Sequence, residues 1–380
     1  MSGAPPSGAV TFTLESHDAA ALAGQWQALE ARADATFYLS WGWIGAWVAE
    51  AGPPDHVLVG RAGGEIVCLG LLRRRLRSRH GFVRSRAILL HETGAENEDV
   101  IFIEHNGFLT DRRFGHLEPK AIAFLREKQE ALGGFDELHF GGFLEEKYEA
   151  VRAADFRTYV HSLKTTAQLD LDAIRSGGGD YLETLSANTR YQIRRAVKLY
   201  EARGPLRVEP ARSAEDALAY FEAMGALHER AWRGRGEAGG AWRYPFLVAM
   251  QRRIIAESFE GGGVDLVRVS CGGEAIGYIH CLVKNGWIGS YLSGFAYEED
   301  NKVRPGLVSF YLYIEHLLKT DARVFDFLAG DHRYKTSLGR PGPRMYWFRV
   351  QERRPQFLIE DALRWVKQRA EKLLGRKIVR

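Results

Sequence analysis

Hydrophobic and polar positions follow two rhythms along this chain, one of period two and one of period 3.6. "AVTFTLES" near the start has the first rhythm and predicts a strand, and "AALAGQWQALEARA" has the second and predicts a helix. In "FYLSWGWIGAWVAEAG" (37–52), Trp43, Trp47 and Val48 fall at helical spacing, and a glycine with two prolines closes the run. "HVLVGRAGGEIVCLGLLRRRL" reads as a hairpin turning at Gly63-Gly64, and "AILLHETG" and "EDVIFIE" as further short strands. The helix "PKAIAFLREKQEAL" then leads into the strand "DELHFGGF".

The pattern changes near 161–180, where "HSLKTTAQLDLDAI" is extended and the glycine-rich "RSGGGD" reads as a hinge or linker. Beyond it come a helix (183–202), a strand (206–209), a helix (213–232), the loop "RGRGEAGGAW" and another helix (244–258). Three closely spaced strands follow, "GVDLVRVS", "EAIGYIHCLVKNG" and "WIGSYLSGFAY". An apolar-striped helix (306–319), the strand "ARVFDFL", the polar stretch "AGDHRYKTSLG", the strand "RMYWFRVQ" and a basic helix complete the chain. Strand–helix mixtures with adjacent antiparallel hairpins predict an α+β protein of two halves, 1–165 and 166–380. Each is expected to hold a mixed, largely antiparallel sheet flanked by helices.

Composition adds limits to this picture. Hydrophobic residues are 46% and charged residues 26% of 380, a globular balance long enough for two cores. No apolar run reaches the roughly 18 residues of a membrane span, and the start has no secretory pattern. Cys68, Cys271 and Cys281 show no metal spacing, so the reading is a cytoplasmic protein without a metal. The net charge of +4 is unevenly spread. Residues 361–380 carry seven Lys/Arg against two acids, and "LLRRRLRSRHGFVRSR" (71–86) carries seven arginines and no acid. Two local patches on a near-neutral body argue against general nucleic-acid binding.

Candidate chemistry lies in the second half. "RPG" (304–306) opens the apolar-striped helix. Pro305 suits a first helical turn, Gly306 lets a ligand approach the backbone, and Arg304 stands beside the free amides that run through Leu307 to Ser309. Such a helix start can cradle a pyrophosphate, and it can also simply turn the chain.

The order hairpin, strand, anion-ready helix, strand and a short helix carrying Tyr334 resembles the GNAT acyltransferase core. More narrowly, "FYLSWGWIGAW", "LSANTRYQIRRAVKLYEARG", "ALHERAWRGRGEAG", "RPGLVSFYLYIEHL" and "FDFLAGDHRYKTSLG" resemble the CelD/BcsL-type acetyltransferases, which are related to the FemAB peptidyltransferases. The resemblance implies two tandem GNAT-like halves, with acyl-CoA held between two splayed strands of the second. It also implies a tyrosine, Tyr334, that protonates the leaving thiolate. One departure is a phosphate loop reduced to Arg304 and Gly306, which keeps open the aminoacyl-tRNA donor of the FemAB relatives and a module without catalysis.

Acyl transfer to an amine needs a base, oxyanion stabilisation and a proton for the leaving group. Lys335 is placed to supply charge, or is a solvated helix lysine. Asp331 is a base or an N-cap. His228 and Glu229 end a helix and either face the acceptor or are structural. Tyr291 shares a strand face with Ser293, and His280 lies on the neighbouring strand; both are candidates for the cleft or for the core. Arg235, in the glycine-rich loop, would meet an acidic group if that loop closes as a lid. The C-terminal helix can lie on anionic lipid or dock on the first half. The expected acceptor is an amino sugar of a polysaccharide precursor or a long-chain, sphingoid-type amine.

Overall fold

The computed structural model describes residues 8–16, 18–79, 83–233, 240–330 and 332–374. The first half runs β1 (Thr11–Glu15), α1 (Ala19–Glu30), α2 (Trp41–Ala51), β2 (His56–Ala62), β3 (Glu65–Arg79) and β4 (Val83–Leu90). It continues with β5 (Leu109–Thr110), α3 (Glu118–Glu127), β6 (Glu137–Leu144), α4 (Glu145–Ala153) and β7 (Thr158–Asp170). The second half opens with α5 (Leu171–Ser176), α6 (Ala187–Glu201), β8 (Leu206–Pro210), α7 (Ala214–Arg233) and α8 (Pro245–Ser258). Next come β9 (Val264–Cys271), β10 (Glu274–Lys284), β11 (Trp287–Phe295), α9 (Pro305–Leu317) and β12 (Val324–Ala329). α10 (Arg333–Leu338), β13 (Arg340–Gln351) and α11 (Pro355–Leu374) finish the chain.

Sequence chemistry sets several of these boundaries. Asp18 caps α1 by accepting the amides of Ala20 and Ala21, and Ser40 caps α2 by accepting that of Trp43. Ser40 also divides the predicted 37–52 helix into a single turn (Phe37–Leu39) and α2. The arginines of 71–86 are not all an outer face. Arg73 is buried, donates to the carbonyls of Ala51 and Gly52 at the end of α2, and lies over the Trp47 ring at 4.9 Å.

All strands except β5 form one path, β1-β2-β3-β4-β6-β13-β7-β12-β11-β10-β9-β8, with β5 pairing off β3. Pairing is antiparallel except β4–β6 and β11–β12, one parallel pair in each half. The halves trade their last strands. β7, from the first, pairs with β12, and β13, from the second, pairs with β6. The two traded strands also pair with each other at the centre. Residues 165 and 166 therefore lie inside β7, and "RSGGGD" closes α5, where Arg175 donates to the carbonyls of Leu317, Leu318, Thr320 and Ala322.

Three apolar clusters fill the layers. Leu266 and Val267, neighbours on β9, point to opposite faces and into different clusters. On one face, Trp26, Trp43 and Trp47 from α1 and α2 pack with Phe221, Leu247 and Ile254 from α7 and α8, joining the halves. α6 and α9 cover the other face of the second half, α3 and α4 that of the first. α11 docks through Phe357, Glu360 and Arg364, whose guanidinium lies 3.7 Å over Tyr159, while Leu358, Ile359, Leu363, Trp365 and Val366 are exposed. Among the described residues, no helix is long and apolar enough to cross a membrane.

Burial also sets a pH optimum for stability. It lowers His91 and His139 to about 4 and His280 to about 3. An unfolded histidine titrates near 6.5, so the native state binds fewer protons below that value. Stability from these groups is complete above about pH 6.5 and lost as pH falls towards 4. Burial acts oppositely on carboxyls, raising Glu104 to about 7 and Glu92 above its ordinary value, so their contribution is lost as pH rises through the folded-state values. A thermal melt scanned from pH 4 to 9 should peak near pH 6–7 and lose roughly 5–10 °C by pH 4.5. A flat acid limb would contradict the neutral buried histidines.

Candidate active site

β11 and β12 pair only at their starts, Trp287 with Val324, Ile288 with Phe325 and Gly289 with Asp326. Beyond that they part, because each turns to a different neighbour, β10 and β7. β12 is bent by an irregularity between Asp326 and Ala329, with Leu328 held at φ 61°, a left-handed conformation unusual for a branched residue. Beside it a cavity of about 600 Å3 is walled by β11, the start of α9 and α10, with Tyr334, Lys335 and His228 in its lining. The matching splay of β4 and β6 holds only about 130 Å3, between Arg77, Glu92, His139, His161 and Trp347. Among the described residues, the cavity beside β11 is the larger of the two.

Two further cavities share walls with this cleft. One, of about 590 Å3, meets it at Arg304, Leu307 and Tyr334. Its lining adds Arg333, Arg340 and the start of α6, where Ser186 caps by accepting the Thr189 amide. Arg304 is the N-cap of α9, and no side chain caps that helix start. Three guanidinium groups beside two helix N-termini give this cavity a chemistry that suits an anion.

The other cavity, of about 470 Å3, shares Trp232, Ser290, Tyr291, Leu292 and Lys335 with the cleft. Val100, Ile101, Phe102 and Glu104 of the first half form one side of it. This segment was expected as the strand "EDVIFIE", and the structure corrects that. The Asp99 carboxylate accepts from the Thr93 amide and hydroxyl and from the Gly94 amide, so the chain curls into a turn (Asp99–Ile101). Phe102 and His105 then take left-handed φ values, and the segment leaves the sheet to reach the second half.

At the junction, Lys335 is 8% exposed, and its Nζ donates to the carbonyls of Ala329 (2.8 Å) and Leu328 (3.3 Å). Burial holds its pKa below the ordinary lysine value, against the pull of Glu104 and Asp326. Glu104 is also buried and accepts the Ala329 amide at 2.8 Å. Desolvation, with Asp326 adding repulsion, outweighs that bond and raises its pKa to about 7. Beneath them Asp326 gathers Gln168 Nε2 (2.6 Å), the Leu328 amide (2.8 Å), His105 Nε2 (3.2 Å) and Trp287 Nε1 (3.3 Å). It ties both halves to the floor of the site.

The remaining candidates fall into three groups. Tyr334 faces the cleft, stacked on Phe310 at 5.6 Å, and burial keeps its phenol protonated. Tyr291 lines both the cleft and the Glu104 cavity, and its hydroxyl donates to the Ile101 carbonyl at 2.8 Å. His228 Nδ1 meets the Ser293 carbonyl at 3.2 Å and its Nε2 accepts the Ala241 amide, so it ties α7 to β11. Arg304, Gly306 and Leu307 line the cleft, with Gly306 packed against the Phe295 ring.

Others point away. His280 is fully buried with its Nε2 3.0 Å from Gln251 Oε1, Ser309 is buried facing Gly277, Pro305 is buried at the first turn of α9, and Glu229 is half-buried on α7. None of these four lines the three cavities. Arg235 and Asp331 lie outside the described residues, and the N-cap of α10 is His332. Sequence reasoning missed Glu104, Arg333 and Arg340. The signal for Glu104 was "EHN" inside an otherwise apolar run.

The family model for the acetyltransferase (GNAT) domain matches residues 187–336, the segment that holds the splayed strands, α9 and Lys335. No curated protein sequence matches the chain. Among solved structures, FemX aligns with 91% of this chain and 99% of its own at 10% identity and a TM-score of 0.55. L-PGS from Bacillus licheniformis aligns with 91% of this chain and 96% of its own, at 12% identity and 0.52. A conserved protein of unknown function from Bacteroides thetaiotaomicron gives 90%, 100%, 11% and 0.52 in the same order. At such identities the likeness is one of fold, and it spans both halves. Residues 187–336 of the second half therefore match the acetyltransferase (GNAT) domain model, and the chain as a whole shares its fold with FemX and L-PGS.

Proposed function

We propose that the protein is an N-acyltransferase that moves an acyl group from acyl-CoA to an amine. The observation that carries this reading is the row of three cavities that share walls: arginine-lined, splayed, and closed by Glu104. In this reading, donor phosphates lie against Arg304, Arg333, Arg340 and the start of α9. The thioester arm fills the cleft, and the amine enters over Glu104.

The proton inventory then balances. The Glu104 carboxylate takes a proton from the incoming amine, whose lone pair forms the N–C bond to the thioester carbon. The C–S bond breaks as the tetrahedral intermediate collapses, and the thiolate takes the Tyr334 proton. A phenol serves here because it donates without a ground-state charge, and Lys335 adds positive potential at the junction. The exposed apolar face of α11, within a basic C-terminal stretch, supports peripheral membrane contact as part of the same reading.

Calorimetric titration with acetyl-CoA, palmitoyl-CoA and free CoA tests the donor. Saturable binding of an acyl-CoA is expected, and Arg304→Ala should weaken it about 10-fold, the scale of one charge-assisted hydrogen bond. Tyr334→Phe should lower kcat about 10²-fold with binding unchanged. Absence of binding by all three ligands would turn the assignment to an aminoacyl-tRNA donor or to a module without catalysis.

A further inference from the structure

We infer that the acceptor is a primary amine carried on an apolar body, an alkyl or arylalkyl amine, and not an amino sugar. The inference rests on the acyltransferase reading and concerns the cavity over Glu104. Its walls are mostly apolar, with Val100, Ile101, Phe102, Leu247, Leu292 and Leu328 contributed by both halves. Glu104 is the one carboxylate among the lining residues, so the wall offers a single counter-charge for an ammonium group.

Several of the other polar side chains are already engaged. The Tyr291 hydroxyl donates to Ile101, Lys335 Nζ donates to two carbonyls, and Tyr244 Oη accepts from Arg243. Ser290 is the remaining hydroxyl of the lining. An amino sugar would bring several hydroxyls into this space, and each one buried without a partner weakens binding roughly 5- to 150-fold. An alkyl or arylalkyl amine brings one polar group, which matches Glu104, and a body that matches the walls.

The test is direct binding to the full chain without donor at pH 8, using octylamine, 2-phenylethylamine and glucosamine as probes. Octylamine or phenylethylamine should bind saturably and at least 10-fold more tightly than glucosamine. Phe102→Asn should weaken the apolar amines about 10-fold. Phe102 is 53% exposed and sits at φ 42°, a conformation asparagine favours, so the variant should melt like the wild type. Glu104→Gln gives a second probe and should weaken all three amines.

Glucosamine binding as tight as octylamine overturns the inference, as does octylamine binding that neither variant changes, or no binding of any amine. The acyl-CoA titration on the same samples separates the two ideas. Amine binding as expected without acyl-CoA binding removes the acyltransferase reading and leaves the cavity's preference standing. The reverse pattern removes only the preference.

Discussion

Glu104→Gln lowers kcat/KM for the amine by about 10² to 10⁴, the usual contribution of a positioned general base, while acyl-CoA binding is unchanged. Glutamine keeps the volume and can still accept the Ala329 amide, so the fold is preserved, but it cannot take a proton. The pH profile carries a second signature. With the carboxyl pKa raised to about 7, activity rises through neutrality as Glu104 loses its proton. In the glutamine variant that limb is replaced by the titration of the amine alone. Steady-state kinetics from pH 5.5 to 9 check both points, and full activity in the variant would remove Glu104 from the chemistry.

Arg79→Ala costs about 3–5 kcal/mol of stability, measured by urea unfolding. Its guanidinium bonds Glu137 at 2.6 and 3.2 Å and Glu360 at 3.2 Å, and both carboxylates are nearly inaccessible. Ser85 and Gln351 also donate to Glu137, and its contacts with His139 and Arg79 hold its pKa well below the ordinary range in spite of burial. Alanine removes the cation they share, leaving Glu360 to Arg364 at 3.5 Å and the buried Glu137 without its arginine. Replacing the pair by Arg79→Met with Glu137→Leu should recover most of the loss, because an apolar pair carries no desolvation penalty. If the double variant is as unstable as the single one, packing and not charge sets the cost.

The elements that could be read from the sequence were those whose cause is local. The stripe of Val308, Phe310, Ile314 and Leu317 behind Pro305 gave α9, and Gly63-Gly64 gave the first hairpin, because both depend on neighbours a few positions away. The segment 98–104 misled because an apolar run looks alike in a strand and in a wall. What decides between them is the Asp99 carboxylate, which captures the chain turning at Thr93 and Gly94. Glu104 meets Ala329 across 225 positions of sequence, a distance no periodicity reports. Tyr334 and Lys335 stood out as a polar cluster at a strand end. His280 and Ser309, on the expected elements, turned to the buried side, which a one-residue change of phase decides.

The traded strands make the order of synthesis part of this protein's folding problem. Met345 pairs with Leu144, so about 200 residues must be made after β6 before its neighbour exists. At about 5–20 residues per second that is roughly 10–40 s in which the first half carries an open strand edge on the ribosome. Neither half is complete by itself. A chain released after residue 165 lacks β13 and ends inside β7, and a chain begun at 166 keeps the residues that pair with β12 but loses most of the strand that β13 requires. The fold closes only when its C-terminal strand arrives, which places its assembly late and makes it one event for both halves.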